Sequence, residues 1–505
     1  MTRARSAILL ALLPAALALT NPLTASAAAT TVTAQPELFP NFDSKITDYA
    51  VKCGGGSVSF SASSTDSTKI SLKGGTAKPS VSESLPLAVG QSFSWTLSQK
   101  VGSRTVKTPY FARCVPDDMN LPAVTRKGTP TAALYLLSTG TAPTLDQDLQ
   151  PITTWYPTLF DSNGVPLWWF KRGFVQLNPT ILDSKTVALW QPLGIPNRLG
   201  DFGFGRWQTY GFDGTAKSTI TAADPGYDIH EIQPGSAAGR YLTVTYEKTG
   251  LYDLQSLWGP KDAWGYRAVV REVTADGAVK WSWNANTHIT TDELSPWWRE
   301  HEVRRKVTID AFLAFDIDHI SSARLDGTGV ILAFRHLDAV YRVNKASGKI
   351  LWKLGGTKTP QSLKVNGDPH GENPIAAPHD ATPLSGGRVA LIDVGLGYDR
   401  RPRFVIYKID AKNKTATFES QIESPIDSRP ICCGSARLLK SGNWAISWPG
   451  QPLAGEYKAD GTPVVEFGLP ARKFSYRMQA FEKGAITATQ LRAAMNKMYP
   501  ASAGS

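Results

Sequence analysis

Three histidines occupy corresponding positions in a pattern that recurs along the chain. His230 lies in the segment YDIHEIQP, His319 in IDHISSARL and His379 in APHDATPL. Each opens a short apolar run, and a second apolar run follows after a turn about ten residues further on. Equivalent positions in a rotational repeat face a common axis, so we expect the three imidazoles to meet at one site.

An arginine joins the histidines at this predicted site. Arg335 ends the second apolar run of the repeat that His319 opens. Because the two strands of a hairpin are antiparallel, the end of the second strand lies beside the start of the first. The neighbouring His336 should face the opposite side of its strand, and we interpret it as a structural residue.

Three imidazoles and one guanidinium suit two kinds of chemistry. Neutral imidazoles are ligands for zinc or copper, but a guanidinium beside such a metal is repelled unless an anion bridges the two. The alternative is transfer of a sulfuryl or phosphoryl group, in which Arg335 binds the oxyanion, one histidine attacks and another protonates the leaving oxygen. Asp380 and Asp393 are candidates to orient His379, although capping of turns and strands explains them equally well.

The repeat that carries these residues predicts a β-propeller. From about Leu121 onward, hairpin turns with Asp, Asn or Gly recur at 160–164, 212–214, 273–277, 343–348, 409–413 and 458–461. A second type of hairpin, to which the histidine segments belong, lies between them. Two hairpins make a four-stranded unit, and we predict six such units over residues 121–482, with five or seven as alternatives. The strand around Ala133 and the segment near Phe474 are expected to close the ring together.

Smaller units flank the predicted propeller. Residues 30–118 alternate apolar and small polar residues, which predicts an N-terminal β-sandwich that loosely resembles cadherin modules. Residues 487–499 predict an amphipathic C-terminal helix. The predicted fold class is therefore all-β. Cys53 and Cys114 flank the sandwich and are expected to form a disulfide, whereas Cys432 and Cys433 are either a vicinal disulfide or two thiols.

The N-terminal residues indicate where the protein is located, and the net charge limits the classes of partner it could have. Residues 1–27 have a basic start, an apolar run and a small-residue cleavage site, which predict a signal peptide and a secreted or envelope-associated protein without a transmembrane segment after cleavage. The net charge is +11. Because the basic residues are scattered, we do not expect a nucleic-acid ligand.

The segments around the candidate site resemble bacterial arylsulfotransferases. The segments are DIH at residues 228–230, DIDHISS at 316–322, FRHLDAVYRVNKASGKILWKLGG at 334–356 and PHDA at 378–381. The resemblance implies an exported six-bladed propeller that moves a sulfuryl group from a phenolic sulfate ester to a phenolic acceptor. It implies no cofactor and no nucleotide sulfate donor.

The same resemblance suggests roles for the four residues. His379 corresponds to the nucleophile that becomes sulfohistidine, His319 and Arg335 to residues that bind the sulfuryl oxygens, and His230 to a residue that assists at the phenolic oxygen. Covalent exchange of this kind predicts ping-pong kinetics. The chain departs from the family at Ser321, where asparagine is frequent, and in the adjacency of its second cysteine pair.

Two other classes of protein remain as alternatives. The run from Asn344 to Trp352 resembles the docking motif of quinone-dependent redox propellers, although it occurs clearly once. A non-catalytic exported propeller that binds a glycan or a protein partner is the other alternative. Neither alternative requires histidines at three matched positions.

Overall fold

The protein is described by a computed structural model over residues 30–141, 156–173, 176–193, 204–221, 226–304 and 314–501. The predicted signal peptide, residues 1–27, lies outside the described residues. Within these ranges the chain is all-β, as predicted. None of the helices in these ranges has the length and apolar character needed to cross a membrane.

Residues 30–115 form two sheets that share an apolar core. Their strands β1–β8 are Thr30–Gln35, Leu38–Phe39, Asp48–Lys52, Ser57–Ser64, Lys69–Leu72, Ser80–Pro86, Ser92–Val101 and Arg104–Val115. One sheet has the strand order β1-β4-β6 and the other β2-β3-β8-β7-β5.

The alternation of side chains explains how these two sheets pack. In β4 the apolar Val58 and Phe60 are buried while the serines between them are exposed, as a period of two requires. Phe60 meets Trp95 of the other sheet with ring centroids 5.0 Å apart. The predicted disulfide between Cys53 and Cys114 is present in this core, with Cα atoms 5.6 Å apart.

The rest of the described chain forms six sheets, each based on four antiparallel strands. Strands β9–β20 are Ala123–Arg126, Ala132–Thr141, Pro157–Asp161, Pro166–Trp169, Thr180–Asp183, Thr186–Pro192, Gly205–Tyr210, Ala216–Ile220, Ile232–Pro234, Arg240–Tyr252, Ala263–Thr274 and Val279–Asn284. Strands β21–β35 are Ala314–Asp316, Ile320–Asp326, Gly329–Phe334, Ala339–Asn344, Ile350–Gly355, Lys364–Asn366, His379–Leu384, Arg388–Asp393, Arg403–Asp410, Thr415–Glu423, Ser435–Leu438, Trp444–Ser447, Leu453–Tyr457, Pro463–Gly468 and Lys473–Glu482.

Five of these sheets use strands that follow one another in sequence. Their core orders are β13-β14-β15-β16, β17-β18-β19-β20, β22-β23-β24-β25, β27-β28-β29-β30 and β31-β32-β33-β34. Strands β9, β21 and β26 add to β34, β19 and β30, respectively. The sixth sheet has the order β12-β11-β10-β35, so its first strand comes from the other end of the chain. The pairing that we expected between the Ala133 strand and the Phe474 segment is therefore present.

The first strands of successive sheets contact one another through polar groups. Strand β13 contacts β17 directly. The hydrogen bonds that continue the series join Ala323 N–H to Glu231 Oε2 (3.3 Å), Ala381 N–H to Ser322 Oγ (3.0 Å), Ala436 N–H to Asp380 Oδ2 (3.1 Å), Met478 N–H to Ser435 Oγ (2.8 Å) and Ile181 N–H to Gln479 Oε1 (2.8 Å). The last of these bonds returns from β35 to β13, an arrangement typical of propellers.

Helical structure in the described residues is short. It consists of α1, Pro296–Trp298, the longer α2, Ala488–Met498, a π turn at Arg299–Val303 and 3₁₀ turns at Gln255–Leu257, Ala285–Thr287, Thr291–Glu293 and Arg335–Leu337. Thr487 and Gln490 form a capping box at the start of α2, as the sequence predicts. Leu491 of α2 is fully buried, and Arg492 binds Asp48 with N–O distances of 2.7 and 2.9 Å. The C-terminal helix therefore joins the N-terminal sheets to the rest of the molecule.

Candidate active site

The three histidines lie at the beginnings of first strands. His230 lies two residues before β17, His319 immediately before β22, and His379 is the first residue of β27. All three are buried. The rings of His230 and His319 are perpendicular neighbours, with centroids 4.7 Å apart.

The Nδ1 atom of each ring is bound to an acceptor from its own surroundings. His230 Nδ1 lies 2.5 Å from Asp228 Oδ1, and His319 Nδ1 lies 2.5 Å from Asp316 Oδ2. His379 Nδ1 lies 2.7 Å from the carbonyl oxygen of Gly434. Carboxylates and carbonyls only accept hydrogen bonds, so Nδ1 carries the proton in each ring. In a neutral ring, Nε2 therefore keeps its lone pair free for chemistry.

Tyr476 of β35 connects the histidines. Its hydroxyl donates to His379 Nε2 at 3.1 Å, and its ring centroid lies 5.3 Å from that of His379 and 6.0 Å from that of His230. The sequence indicates only ring closure for this segment, and a chemical role for the tyrosine was not predicted. Because β35 is the first strand of its sheet, as β17, β22 and β27 are of theirs, this shared position could have identified Tyr476.

Arg335 reaches the site from a turn. Strand β23 ends at Phe334, and Arg335 begins the 3₁₀ turn that follows. Its backbone N–H donates to the carbonyl of His319 at 2.8 Å, so the two are neighbours as expected. The guanidinium donates to the carbonyl of Ile431 at 3.1 Å and lies 4.6 Å above the ring of Trp297. These contacts fix the plane of a group that can bind an oxyanion.

His336 belongs to the same cluster, and the prediction that it faces the opposite side of its strand was wrong. Its ring centroid lies 4.8 Å from that of His319, and its Nε2 lies 2.6 Å from Arg335 Nη1. The alternation of strand side chains does not apply here because the strand has already ended. Since a guanidinium only donates, His336 accepts this hydrogen bond as a neutral imidazole.

The two aspartates considered as partners of His379 bind arginines instead. Asp393 accepts from Arg403 Nε at 2.9 Å and from the backbone of Ala376. Asp380 adopts a left-handed conformation with φ of 54°, and the register of β27 shifts between His379 and Thr382. The shift turns the carboxylate of Asp380 away from the imidazole of the preceding residue.

Asp380 and Glu231 form a buried network with three arginines, which we call the ion-pair layer. Asp380 Oδ1 accepts from Arg324 at 2.8 Å and from Arg437 at 2.7 Å. Glu231 binds Arg324 and lies 3.5 Å from Arg477 Nη1. Burial alone would raise the pKa of Asp380, but Arg437, Arg324 and Arg477 hold that pKa below its usual range.

The environment of His379 favours its neutral form. Burial, and then the charge of Arg477, hold the pKa of the imidazole well below its usual value. Burial raises the pKa of Tyr476 above its usual range, so the hydroxyl keeps its proton. Because His379 Nε2 accepts the hydrogen bond from the Tyr476 hydroxyl, its lone pair is on that nitrogen and points toward Tyr476.

The imidazoles of His319 and His336 are also held neutral. Burial, followed by the neighbouring His230 and His336, holds the pKa of His319 well below its usual value. For His336 the causes are burial and the charge of Arg335. Their nitrogen atoms are therefore able to accept or donate one hydrogen bond without carrying a charge.

A metal could be held by few of these residues. Asp316, His319 and His336 place one possible ligand atom each within 4.8 Å of one another. Asp316 already accepts from His319 Nδ1, and the Arg335 guanidinium already binds His336 Nε2. A divalent cation at this point would lose ligands and meet a fixed positive charge, so the donor set fits an anion better.

The segment from Ile431 to Gly434 binds two of the predicted site residues. Cys432 and Cys433 are joined as a vicinal disulfide, which resolves the two alternatives left by the sequence. The carbonyl before this disulfide accepts from Arg335, and the carbonyl after it accepts from His379. One short segment therefore orients the candidate oxyanion-binding group and the candidate nucleophile.

The strand arrangement and this cluster of histidines, arginine and tyrosine define an all-β protein with a buried polar site. Residues 182–469, more than half of the chain, match the arylsulfotransferase (ASST) family. The chain belongs to the arylsulfotransferase family. No curated protein sequence matches it.

Among solved structures, similarity is weak. A protein of unknown function from Bacteroides caccae is 11% identical, with a TM-score of 0.38, over 68% of this chain and 99% of that one. A periplasmic gluconolactonase from Pseudomonas aeruginosa is 15% identical, with a TM-score of 0.33, over 66% and 82% of the two chains. A putative 6-phosphogluconolactonase from Bacteroides fragilis is 12% identical, with a TM-score of 0.35, over 70% and 100%.

Proposed function

We propose that the protein transfers a sulfuryl group from a phenolic sulfate ester to a phenolic acceptor through a sulfohistidine at His379. The observation that carries the proposal is the orientation of that ring: Nδ1 is bound to Gly434 O, so the Nε2 lone pair is directed toward Tyr476 and the other histidines. Family membership supports arylsulfotransferase activity in general.

In the first half-reaction, His379 Nε2 attacks the sulfur of the donor. The nitrogen–sulfur bond forms as the bond between sulfur and the phenolic oxygen breaks. His230 enters this step as an imidazolium that Asp228 stabilises, and it gives its Nε2 proton to the leaving phenolate. The Nδ1–H group of His379 keeps its proton and donates to the carbonyl of Gly434 throughout.

Charge on the sulfuryl oxygens is balanced by fixed donors. Arg335 supplies a guanidinium whose plane is held by Trp297 and by the carbonyl of Ile431. When the sulfate ester binds, it displaces the hydroxyl of Tyr476 from His379 Nε2. The hydroxyl then donates a hydrogen bond to a sulfuryl oxygen. His319 is neutral in the free protein, with Nδ1–H on Asp316; we assign it a proton at Nε2 when the anionic donor binds, and this Nε2–H donates to a further sulfuryl oxygen.

In the second half-reaction, the acceptor phenol occupies the place of the first phenol. His230, now neutral, takes the phenolic proton while the phenolic oxygen attacks sulfur. The nitrogen–sulfur bond breaks, a new sulfate ester leaves, and His230 returns to its protonated state. The cycle needs no cofactor, and its order predicts ping-pong kinetics.

The direct test is the intact mass of the protein after brief exposure to 4-nitrophenyl sulfate without an acceptor. We expect one added sulfuryl group that maps to His379 and disappears when a phenol is supplied. The His379→Ala variant should show no adduct, whereas a His370→Ala control, which changes a histidine outside the cluster, should be labelled fully. An adduct on another residue, or transfer without any adduct, would contradict the mechanism.

We also infer that the sheets form a closed six-bladed propeller preceded by a β-sandwich, and that the protein acts outside the cytoplasm. The contact from β35 back to β13 supports closure, and the shared core of residues 30–115 supports the sandwich. The two disulfides support an oxidising compartment. Fractionation of cells that express the chain with and without residues 1–27 tests the location: export only with this segment is the expected result.

A further inference from the structure

A second polar cavity lies along the same first strands, further from their beginnings than the histidines. It has a volume of ≈ 180 Å³, and its lining includes Arg324, Arg437 and Arg477 together with Asn178, Gln233 and Gln479. Arg324 comes five residues after His319 in the chain. At about 3.3 Å per residue, its Cα lies at most about 16 Å along the strand from that histidine. The cavity adjoins the histidine site, since Glu231 and Arg477 directly follow His230 and Tyr476 in the chain, but none of the site histidines lines it.

The charge around this cavity does not balance. The ion-pair layer contains three guanidinium groups, from Arg324, Arg437 and Arg477, against the two carboxylates of Glu231 and Asp380. One positive charge is in excess in a buried environment. Burying an uncompensated charge is costly, and a bound anion removes the cost.

The hydrogen-bond donors are in excess as well. Each guanidinium offers five N–H groups, far more than two carboxylates can accept. Within the described residues, the Nε–H of Arg477 has no hydrogen-bond partner: it lies 3.9 Å from Asp380 Oδ1, too far for a hydrogen bond, and the Arg477 side chain is only 7% exposed. A buried donor of this kind indicates an acceptor that enters from the cavity.

We propose that the cavity binds one small inorganic oxyanion, sulfate or phosphate, between Arg324, Arg437 and Arg477. Tetrahedral oxygens match the forked donors of guanidinium groups, and the oxyanion neutralises the excess charge of the ion-pair layer. The site does not depend on catalysis at His379. Oxyanion binding in this cavity and sulfuryl transfer at His379 can therefore be tested in separate experiments.

The test is calorimetric titration with sodium sulfate and sodium phosphate at constant ionic strength, with sodium chloride as the control. Titration is made in the Arg335→Gln background, which removes the guanidinium of the histidine site. We expect one saturable oxyanion site per chain to remain. If Arg335→Gln abolishes all saturable binding, the second site does not exist.

Two variants in the Arg335→Gln background then locate the site. Arg437→Gln removes the excess charge and should weaken binding at least about tenfold, the loss typical for a charge-assisted contact. Thr180→Phe fills the cavity without altering the ion pairs and should also abolish binding, which covers the case that Arg437→Gln fails to fold. Arg388→Gln, at an exposed ion pair with Glu419, is the matched control and should bind normally. Unchanged affinity in Thr180→Phe would overturn the proposal.

Discussion

The histidines differ in the group that holds Nδ1, and this difference separates their roles. Asp228 and Asp316 place a carboxylate against Nδ1 of His230 and His319, and such a carboxylate can stabilise positive charge on the ring when a proton is taken up during the reaction. His379 has a neutral carbonyl at the same position. A nucleophile that must stay neutral and an acid that must be charged are therefore built from one residue type.

Replacing Asp228 by Asn should impair the acid–base step. Asn keeps the size of the side chain but cannot stabilise the His230 imidazolium, so we expect kcat to fall by about 10²–10⁴-fold. Donors with poorly acidic phenols should suffer most, because their phenolates need the proton. Steady-state rates with a series of aryl sulfates measure this. Asp183→Asn, at an exposed turn, is the control, and an equal loss for all donors would contradict the role.

The Tyr476→Phe variant tests the donor from β35. It removes the hydroxyl that binds His379 Nε2 while the ring remains. We expect kcat to fall by about 10²-fold with little change in KM, because the bond to a sulfuryl oxygen is strongest in the transition state. Tyr457→Phe removes a hydroxyl at a distant site and should leave kcat unchanged. Equal kcat for Tyr476→Phe and the wild-type protein would exclude this role.

The pH dependence of stability should reveal the neutral histidines. The pKa values of His319, His336 and His379 are lowered in the folded protein. In the unfolded chain they titrate near 6.5, so the unfolded state binds more protons below that pH. The contribution of these histidines to the free energy of unfolding should therefore be fully present above about pH 6.5 and should decrease as the pH falls below that value.

His336→Gln isolates one of these contributions. The variant should lose stability less steeply below pH 6.5, by up to about 1.4 kcal/mol per pH unit. Urea unfolding at several pH values between 7.5 and 5 gives the two slopes. Asp338, whose pKa burial raises to about 7, contributes equally to both proteins and cancels in the difference. Parallel curves would show that His336 is protonated in the folded state.

At the scale of elements, the sequence predicted strand beginnings better than turns. His230, His319 and His379 lie where the repeat placed them, at the beginnings of the first strands β17, β22 and β27. The orientation of His336 was not predicted, because nothing in its sequence marks the end of β23 at Phe334. The partners of Asp380 were not predicted either, since Arg324 and Arg437, which bind it, are distant in sequence.

The segment Ile431–Gly434 shows how a short element positions a site. Replacing Cys432 and Cys433 by Ala removes the link between two carbonyls that bind Arg335 and His379. We expect kcat to fall more than about tenfold, since a displacement near 1 Å is costly in transfer reactions. Removing the Cys53–Cys114 disulfide in the same way should lower stability but leave kcat of the folded protein intact. If both double variants keep full kcat, the segment has no positioning role.

At the scale of the molecule, α2 joins the two ends of the chain. Leu491 is fully buried beside the sheet β12-β11-β10-β35, so Leu491→Ala should lower the free energy of unfolding by about 2–5 kcal/mol. The exposed Thr489→Ala variant should change it by less than about 0.5 kcal/mol. Urea unfolding followed by tryptophan fluorescence measures both. A loss below about 1 kcal/mol for Leu491→Ala would show that the helix contributes little to stability.

The origin of β35 also sets the timing of activity during biosynthesis. A nascent chain that has emerged from the ribosome as far as β34 contains the three histidines and Arg335. It lacks Tyr476 and the strand β35, which completes the sheet β12-β11-β10-β35. The proposed sulfuryl transfer should therefore begin only after nearly the whole polypeptide has been delivered. Unfinished or C-terminally clipped chains should be inert toward phenols in whichever compartment they are left.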